Sequence, residues 1–385
     1  MNRQLSSKLP NVGTTIFTVM SALAAKEQAI NLSQGYPDFD GPQLLKDSVL
    51  KHMADGFNQY PPMMGVAPLR EAIGHKVADL YGAKVDPETE VTVTAGATEA
   101  LFCAIASVVS TGDEVIVFDP AYDSYEPVVS LQGGVTVHIP LQGADFRIDW
   151  QRLEDALSAN TKLLILNSPH NPTGSVLDAA DIDILHSLVR KYDFFVVSDE
   201  VYEHIIFDGR DHHSMCRYPE LFERCFVISS FGKTYHVTGW KVGYCVAPEK
   251  LTAEFRKIHQ FVNFTVNTPM QLGLADFLTK CPQHHKSLPE FYQQKRDLFC
   301  ELLSASRFTF KPSQGTYFQL LDYGQISQEE DVELARRWTQ ELKVASIPIS
   351  VFYADADQLQ VPVLRFCFAK QDETLKQAAE ILCQI

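Results

Sequence analysis

The sequence predicts an α/β fold, in which helices flank a mostly parallel sheet and a smaller α+β unit follows. From about residue 90, short runs rich in β-branched and aromatic residues alternate with longer helical patterns, as in parallel sheets whose strands are joined by helices. After about residue 281 this alternation is replaced by a mixture of helices and strands. The chain has 385 residues, of which 45% are hydrophobic and 21% charged, so it can bury a sizeable core.

Seven strands are predicted for the main sheet, at residues 90–95, 114–118, 134–139, 162–167, 194–198, 226–230 and 241–247. Helical patterns are predicted over residues 100–109 and over a long stretch at residues 248–280. The run Cys281-Pro282-Gln283 is predicted to end that stretch. The smaller unit is expected to contain helices at 290–304 and 331–342 and strands at 308–310, 316–322 and 363–369.

These elements divide the chain into three predicted regions. Residues 1–40 do not match the alternation and are expected to form an arm that packs with the small domain. Residues 41–280 are the predicted large domain, and residues 281–385 are the predicted small α+β domain. No internal repeat or low-complexity tract interrupts this plan.

Charge and hydropathy narrow the function. The formal net charge of −15 argues against a nucleic-acid or anionic-membrane partner, because either would repel the protein overall. No apolar run has the length needed to span a bilayer, and residues 1–10 show no stretch of signal-peptide length. We therefore expect a cytoplasmic protein that binds neither nucleic acid nor membrane.

The cysteines predict neither disulfides nor a metal site. No two of them form a CxxC pair, and several lie in apolar runs such as residues 244–246 and 366–368, as is typical of buried, reduced thiols. The eight cysteines are Cys103, Cys216, Cys225, Cys245, Cys281, Cys300, Cys367 and Cys383.

Candidate functional residues follow the predicted strands, because ligands bind at the carboxyl ends of strands in an open α/β sheet. Gly96, Ala97 and Thr98 lie where the first strand turns into a helix. Free backbone N–H groups and the helix dipole make such a junction a phosphate site, with the Thr98 hydroxyl as a further donor. A glycine turn with a threonine cap would explain the same residues equally well.

Polar residues after three other strands suit a pyridine ring. Asp199 could hold a proton on a ring nitrogen, although it could also cap the next helix. Asn171 and Tyr202 could hydrogen-bond a phenolic oxygen on the same ring, and Tyr122 could stack on its face. A turn asparagine and packed tyrosines are the structural alternatives.

Lys233 is framed by small residues in the run 229–243, and it is a candidate Schiff-base lysine. A lysine amine attacks a carbonyl only when it is deprotonated, which burial beside other cations favours. Lys241 is the candidate second cation. The alternative for a single lysine is a solvated surface charge.

Taken together, these motifs resemble those of the fold-type I pyridoxal-phosphate enzymes, specifically the class I/II aminotransferases, from about Gly13 to the C-terminus. Within that family the chain is similar to bacterial methionine aminotransferases and to the glutamine transaminase K and kynurenine aminotransferase group. The resemblance rests on residues 31–39, 95–100, 170–174, 198–202, 229–243 and 364–366.

The resemblance implies pyridoxal 5′-phosphate as cofactor and a role for each candidate. Lys233, Asp199 and Tyr202 would be catalytic. Lys233 would form the Schiff base and then move the proton, Asp199 would pair with the ring nitrogen, and Asn171 and Tyr202 would face the ring oxygen. The phosphate would be held by Gly96, Ala97, Thr98, Ser230, Lys241 and Tyr60 of the partner subunit in a homodimer.

The resemblance also implies the substrate site. Arg365 would grip the α-carboxylate of an amino acid or 2-oxo acid through a two-pronged pair, beside Asn171 and Gly35. The side-chain pocket would be formed by Phe17, Tyr36, Tyr60 and Phe264, the last two from the partner subunit. This aromatic, uncharged wall predicts large apolar or neutral substrates such as methionine, phenylalanine, tyrosine or glutamine.

Two features depart from the family pattern and leave the substrate open. Relatives in the kynurenine group often carry a tryptophan where this chain has Phe17, and the loop at residues 61–64 is unusual.

The alternative activity on the same scaffold is a carbon–sulfur β-lyase. A DNA-binding regulator is disfavoured, since residues 1–40 show neither the helices nor the charge of a basic helix-turn-helix.

Overall fold

The computed structural model describes residues 5–385, and its strands are short and distributed over the whole chain. They are β1 Ile30–Asn31, β2 Val91–Thr94, β3 Glu114–Asp119, β4 Val135–Pro140, β5 Thr161–Asn167, β6 Phe195–Asp199, β7 Cys225–Ser230, β8 Gly243–Val246, β9 Phe318–Asp322, β10 Val344–Ala345, β11 Ile347–Pro348 and β12 Val363–Cys367.

The helices connect and cover these strands. They are α1 Ile16–Glu27, α2 Gln43–Ala54, α3 Ala67–Tyr81, α4 Gly96–Val108, α5 Tyr125–Leu131, α6 Trp150–Ala156, α7 Ala179–Tyr192, α8 Pro219–Phe222, α9 Phe231–Thr234, α10 Glu249–Val262, α11 Thr268–Lys280, α12 Gln283–Leu302, α13 Asp331–Glu341 and α14 Asp372–Leu382. Within residues 5–385, none of them is both long and apolar enough to cross a bilayer.

The predicted main sheet is confirmed. Within the described residues it has seven strands in the order β2-β8-β7-β6-β5-β3-β4. Strand β8 is antiparallel to both of its neighbours, and the remaining pairs are parallel. Each predicted strand lies within two residues of an observed one. The alternation of β-rich and helical runs therefore predicted this sheet correctly.

Both faces of the sheet are buried, which explains why its strands are almost continuously apolar. Alternate residues of β3 show this most clearly: Val115 and Val117 belong to one core, whereas Ile116 and Phe118 belong to the other. Helices α4 and α10 pack together and cover the first face. As a result, the polar ends of the strands are left as the place for a ligand.

The C-terminal part of the chain has its own sheet. Strands β11, β12 and β9 form an antiparallel sheet in that order, and α12 packs against α14. The N-terminal residues contact the same part, because β1 pairs with β10 and α1 packs against α13. The domain boundaries at residues 40 and 280 stay predictions.

Several element predictions were wrong. The helical stretch at 248–280 is two helices, since Phe264 has a left-handed φ of 69° and Asn267 caps α11. Residues 308–310 form no strand, and only Thr309 makes an isolated bridge. Helix α12 begins at Gln283 rather than 290, because buried His285 and Leu288 anchor its first turns ahead of Pro289.

Residues 1–40 were expected to form an arm, and no helix was specified there. Within the described part, α1 occupies residues 16–27, where the Thr15 hydroxyl oxygen accepts a hydrogen bond from the Thr18 amide as an N-cap. Helices α2 and α3 were also not predicted. Both have weak apolar periodicity along the sequence, and α2 acquires its buried face by packing against α11.

Candidate active site

A cavity of about 240 Å³ opens at the carboxyl ends of the parallel strands. It is lined by most of the residues that the sequence singled out, which are Phe17, Gly35, Gly96, Ala97, Thr98, Tyr122, Asn171, Asp199, Tyr202, Ser230, Lys233, Lys241 and Arg365. Residues from the N-terminal arm, from the carboxyl ends of β2, β3, β5, β6 and β7, and from β12 thus meet in one place.

Lys233 lies in the short helix α9, which follows directly after β7, and Ser230 caps that helix by accepting from the Gly232 amide at 3.2 Å. The Lys233 amine donates to the carbonyl of Gly35 at 2.9 Å and lies over the Tyr202 ring. Burial lowers the pKa of Lys233 to about 8. About a tenth of this amine is therefore deprotonated at pH 7, far more than for an ordinary lysine.

The neighbours of Lys233 modify this effect of burial. Cys367 opposes the lowering of the pKa, while the cations Arg365 and Lys241 add to it. Lys241 thus acts on the Lys233 amine in the direction predicted from the sequence, but as a smaller cause than burial.

Asp199 ends β6 and is buried at the wall of the cavity. One carboxylate oxygen accepts from the Tyr125 hydroxyl at 2.7 Å, and the other accepts from the Val201 amide at 3.3 Å. Burial raises the pKa of Asp199 to about 6, although both hydrogen bonds act in the opposite direction. A cationic partner in the cavity would stabilise its ionised form.

Arg365 reaches the cavity from β12 and is almost completely buried. Its Nη1 donates to the Asn171 side-chain oxygen at 2.7 Å, and its Nη2 donates to the Ser33 carbonyl at 2.9 Å. Its guanidinium carbon lies 3.9 Å from the centre of the Phe318 ring. Its Nε has no hydrogen-bond partner within residues 5–385. Burial lowers the pKa of Arg365 to about 10.

The start of α4 forms a small cradle. Gly96 has a left-handed φ of 74°, and a Cβ there would lie 3.3 Å from the Lys241 Nζ atom. Lys241 donates to the Thr98 hydroxyl at 3.3 Å, and no side chain of the described residues caps the first amides of α4. Backbone donors, a hydroxyl and an ammonium group therefore surround one point, a donor set that suits a phosphate.

Two tyrosines complete the wall of the cavity. Burial raises the pKa of Tyr122 to about 12, and it raises the pKa of Tyr202 further above the usual value. The Tyr202 ring packs edge-on against Tyr317 with 5.2 Å between centroids. Both phenols therefore remain protonated and can donate hydrogen bonds at neutral pH.

Three predicted site residues do not line this cavity in the described chain. Tyr36 is half exposed, and its carbonyl accepts from Lys370. Tyr60 is 84% exposed, and its ring lies 5.7 Å from that of Phe264, which is 44% exposed. The roles of all three stay predictions.

Sequence reasoning missed three residues that shape the site. Asn167 lines the cavity, donates to the Asp199 carbonyl at 2.9 Å and accepts from the Asn171 amide at 2.8 Å. Because Asn167 ends β5, the rule about strand ends could have found it. Tyr125 and Tyr317, which donates to the Gly35 carbonyl at 2.5 Å, carry no comparable signal in the sequence.

A mostly parallel sheet with a half-buried lysine, a buried aspartate and a buried arginine around one cavity defines an enzyme site of the aminotransferase type. The chain belongs to the family of class I and II aminotransferases, whose sequence profile matches residues 27–382. This membership confirms the family resemblance drawn from the motifs.

Named relatives agree with this assignment. The chain is 54% identical to methionine aminotransferase of Escherichia coli K12 over 98% of both chains, and 34% identical to kynurenine–oxoglutarate transaminase of Dictyostelium discoideum over 99% of this chain and 96% of the other. A crystal structure of an E. coli protein, described as having a methionine aminotransferase function, matches with a TM-score of 0.97 and 53% identity over the whole of both chains. These relatives do not favour the β-lyase alternative.

Proposed function

We propose that this protein is a pyridoxal-phosphate-dependent aminotransferase that moves the amino group of methionine, or of another large neutral or aromatic L-amino acid, to a 2-oxo acid. The observation that carries the proposal is the meeting of Lys233, Asp199 and Arg365 around one cavity. The 54% identity to a methionine aminotransferase supports the choice of methionine.

The donor set fits pyridoxal phosphate, and members of the class I and II aminotransferase family depend on this cofactor. Lys241, Thr98 and the first amides of α4 would hold the phosphate, because a Cβ at Gly96 would fill the space that the phosphate needs. Asp199 would hold the proton of the ring nitrogen, and Asn171 and Tyr202 would donate to the ring oxygen. Bound pyridoxal phosphate would supply a reactive carbonyl carbon and a ring that accepts electrons from the substrate Cα.

Lys233 would act first as the nucleophile and then as the base. Its lowered pKa leaves the amine with a free electron pair, which both tasks require. As a base it would take the proton from the substrate Cα and pass one to the cofactor carbon that receives the amino group, and in the reverse half-reaction it would move a proton in the opposite direction. The aromatic rings of Tyr202 and Tyr317, each within 5.6 Å of Nζ, would exclude water from this amine.

Arg365 would bind the α-carboxylate. A carboxylate could take the place of one of its present acceptors and pair with both ends of the guanidinium fork. The Phe17 ring, 5.2 Å from the guanidinium carbon, would lie beside the substrate side chain.

The charges of the cavity support a preference for neutral side chains. Each cation among the described lining residues already has a proposed task, and these cations are Lys233, Lys241 and Arg365. A second carboxylate on the substrate would therefore lose water without gaining a partner, at a cost of several kcal/mol. Methionine should be preferred over aspartate for this reason.

A homodimer with shared active sites is part of the proposal. Exposed large apolar side chains support it, since exposed apolar surface commonly marks protein interfaces. They include Leu50, Phe57, Phe261 and the pair Tyr60 and Phe264, whose rings lie 5.7 Å apart. Tyr60 and Phe264 would enter the active site of the partner subunit.

A cytoplasmic location is also proposed. The eight cysteines all lie within the described residues and are all unpaired, and the majority of them are buried. Free thiols are typical of a reducing compartment.

The test is a spectroscopic assay of the two half-reactions. Methionine alone should shift the absorbance of the bound cofactor to that of its aminated form, and a 2-oxo acid should then restore the original spectrum. A spectrum that methionine leaves unchanged would reject this substrate, and a protein without cofactor absorbance would reject the mechanism. Release of ammonia and pyruvate from a cysteine conjugate, with no 2-oxo acid present, would indicate the β-lyase instead.

A further inference from the structure

A buried pair of ionisable residues lies next to the cavity and has no task in the proposed chemistry. Glu99 is on α4, directly after the phosphate cradle, and His259 is on α10 and has no exposed surface. A Glu99 oxygen contacts the His259 Nδ1 atom, and the other Glu99 oxygen accepts from the Ala95 amide. We call these two residues the Glu99–His259 pair.

The second nitrogen of His259 extends the pair to another segment. Its Nε2 lies 2.9 Å from the carbonyl oxygen of Met63. A carbonyl can only accept, so Nε2 carries a hydrogen. One proton then lies between Nδ1 and Glu99, and the pair is neutral overall whichever atom holds it. Glu99 therefore adds no net negative charge beside the phosphate cradle when His259 is paired with it.

Met63 belongs to the segment of residues 59–64, which contains Tyr60. This segment is held to the α10–α11 junction by further hydrogen bonds. Thr265 donates to the Pro62 carbonyl at 3.3 Å, and Thr268 donates to the Gln59 carbonyl at 2.6 Å. At the opposite end, the Val93 amide of β2 donates to the Met64 carbonyl at 3.0 Å. The Glu99–His259 pair is thus a continuous link from the start of α4 to the segment that presents Tyr60.

A metal site is a weaker explanation of the same residues. Cys103, Glu99 and His259 offer ligand atoms within 4.8 Å of one another. However, both nitrogens of His259 and both oxygens of Glu99 already have hydrogen-bond partners, and Cys103 lies 3.9 Å from Glu99. Burial also raises the pKa of the Cys103 thiol, which opposes the thiolate form that a metal requires.

We propose that Glu99 and His259 are positioning residues that hold Tyr60 in register with the phosphate cradle of their own subunit. The inference rests on the proposed function, in which Tyr60 acts in the active site of the partner subunit. Residues 59–64 of one subunit would enter the active site of the partner subunit. Through the Glu99–His259 pair, these residues are anchored to the cofactor site of the subunit to which they belong. Loss of the pair in one subunit should therefore impair catalysis in the other.

Hybrid dimers test this directly. One subunit is wild type, and the other carries Lys233→Ala together with His259→Phe, so the functional lysine and the altered pair are on different chains. His259→Phe keeps a ring but removes both hydrogen bonds. We expect kcat/KM per functional lysine to fall about tenfold relative to a hybrid of wild type with Lys233→Ala alone, because small misplacements of site residues are costly. An unchanged kcat/KM would overturn the inference.

Glu99→Gln is the matched conservative variant. The glutamine amide can donate to Nδ1 of a neutral His259, whose Nε2 still donates to Met63, and its oxygen can accept from the Ala95 amide. In the same hybrid, Lys233→Ala with Glu99→Gln should therefore stay within about twofold of the control. A loss of kcat/KM equal to that of His259→Phe would show that retaining these hydrogen bonds does not preserve catalysis, and would overturn the inference.

Hydrogen exchange in the cofactor-free protein gives a readout that does not depend on activity. Amides of residues 59–66 should exchange faster in His259→Phe than in wild type, and Glu99→Gln should match wild type. Equal exchange in all three proteins would overturn the positioning role, as would one equivalent of bound zinc per purified wild-type subunit.

The proposed function can fail separately. A monomer in sedimentation experiments, or a Lys233→Ala homodimer that keeps its activity, would overturn the proposed function and with it the inference. Those outcomes are distinguishable from the case in which the protein is an active dimer and loss of the Glu99–His259 pair has no effect.

Discussion

The Arg365 guanidinium donates a hydrogen bond to the side-chain oxygen of Asn171, with 2.7 Å between Nη1 and Oδ1, although the two residues are 194 positions apart. Asn171 follows β5 of the main sheet, and Arg365 lies on β12 of the C-terminal sheet. In the proposed mechanism this bond joins the residue that binds the substrate carboxylate to a residue that binds the cofactor ring. The two sheets therefore meet at the atoms that the chemistry needs.

Arg365→Lys should weaken substrate binding and leave cofactor binding intact. A lysine keeps the positive charge but loses the two-pronged geometry, and one charge-assisted hydrogen bond contributes about 2 kcal/mol. We expect KM for methionine to rise about 30-fold. Steady-state kinetics and a titration with pyridoxal phosphate would measure the two effects. Arg337→Lys, a change in a surface ion pair, is the control. Equal losses of substrate and cofactor affinity would indicate a structural role for Arg365.

Lys233→Ala should abolish turnover, with a loss of at least about a thousandfold, because nucleophile and base are removed together. Lys257→Ala, a change at an exposed lysine, should have no effect.

In the wild-type protein, the rate at which the cofactor-free form captures pyridoxal phosphate should rise about tenfold from pH 7 to pH 9 and then level off, since the pKa of Lys233 is about 8. A rate that still rises steeply above pH 10 would contradict the lowered pKa.

Asp199→Asn should change how the stability of the cofactor-free protein depends on pH. The pKa of Asp199 is raised by burial to about 6, so the folded state binds more protons than the unfolded state between about pH 4 and pH 6. Wild-type stability therefore falls as pH rises through this window, and the asparagine variant lacks this contribution. The free energy of unfolding of the variant, relative to wild type, should increase by about 2 kcal/mol from pH 4 to pH 7.

Urea unfolding at the two pH values would measure this change. Asp183→Asn, on the exposed face of α7, is the control and should show almost none of it. A relative stability that decreases with pH would mean that the pKa of Asp199 is lowered, contrary to the geometry of the site.

Gly96→Ala should weaken cofactor binding about tenfold, because the new methyl group would enter the cradle 3.3 Å from the Lys241 amine. Gly82→Ala is a matched control, since Gly82 has a similar left-handed φ of 68° but open space around it. Both variants should lose about 1 kcal/mol of stability from backbone strain. Only Gly96→Ala should raise the dissociation constant for pyridoxal phosphate. Equal affinities in the two variants would argue against the phosphate cradle.

The sequence alone was sufficient for the main sheet and for most of the candidate site. Strand periodicity is encoded within a few residues, and polar residues after the strands therefore pointed to Gly96, Asp199 and Lys233 before any distance was known. The break between α10 and α11 was missed, although Asn267 as N-cap and Pro269 in the first turn of α11 are helix-start signals that the sequence itself shows.

What the sequence determined by itself is the class of chemistry, since the order and spacing of the lysine, aspartate and arginine motifs can be read without a structure. Only the tertiary structure decided how those residues are tuned. The pKa of Lys233 near 8, the hydrogen bond from Tyr125 to Asp199 and the link from Glu99 through His259 to Met63 all depend on side chains that are distant in sequence. Burial and hydrogen-bond geometry arise when the helices and sheets pack together, and local periodicity carries no record of them.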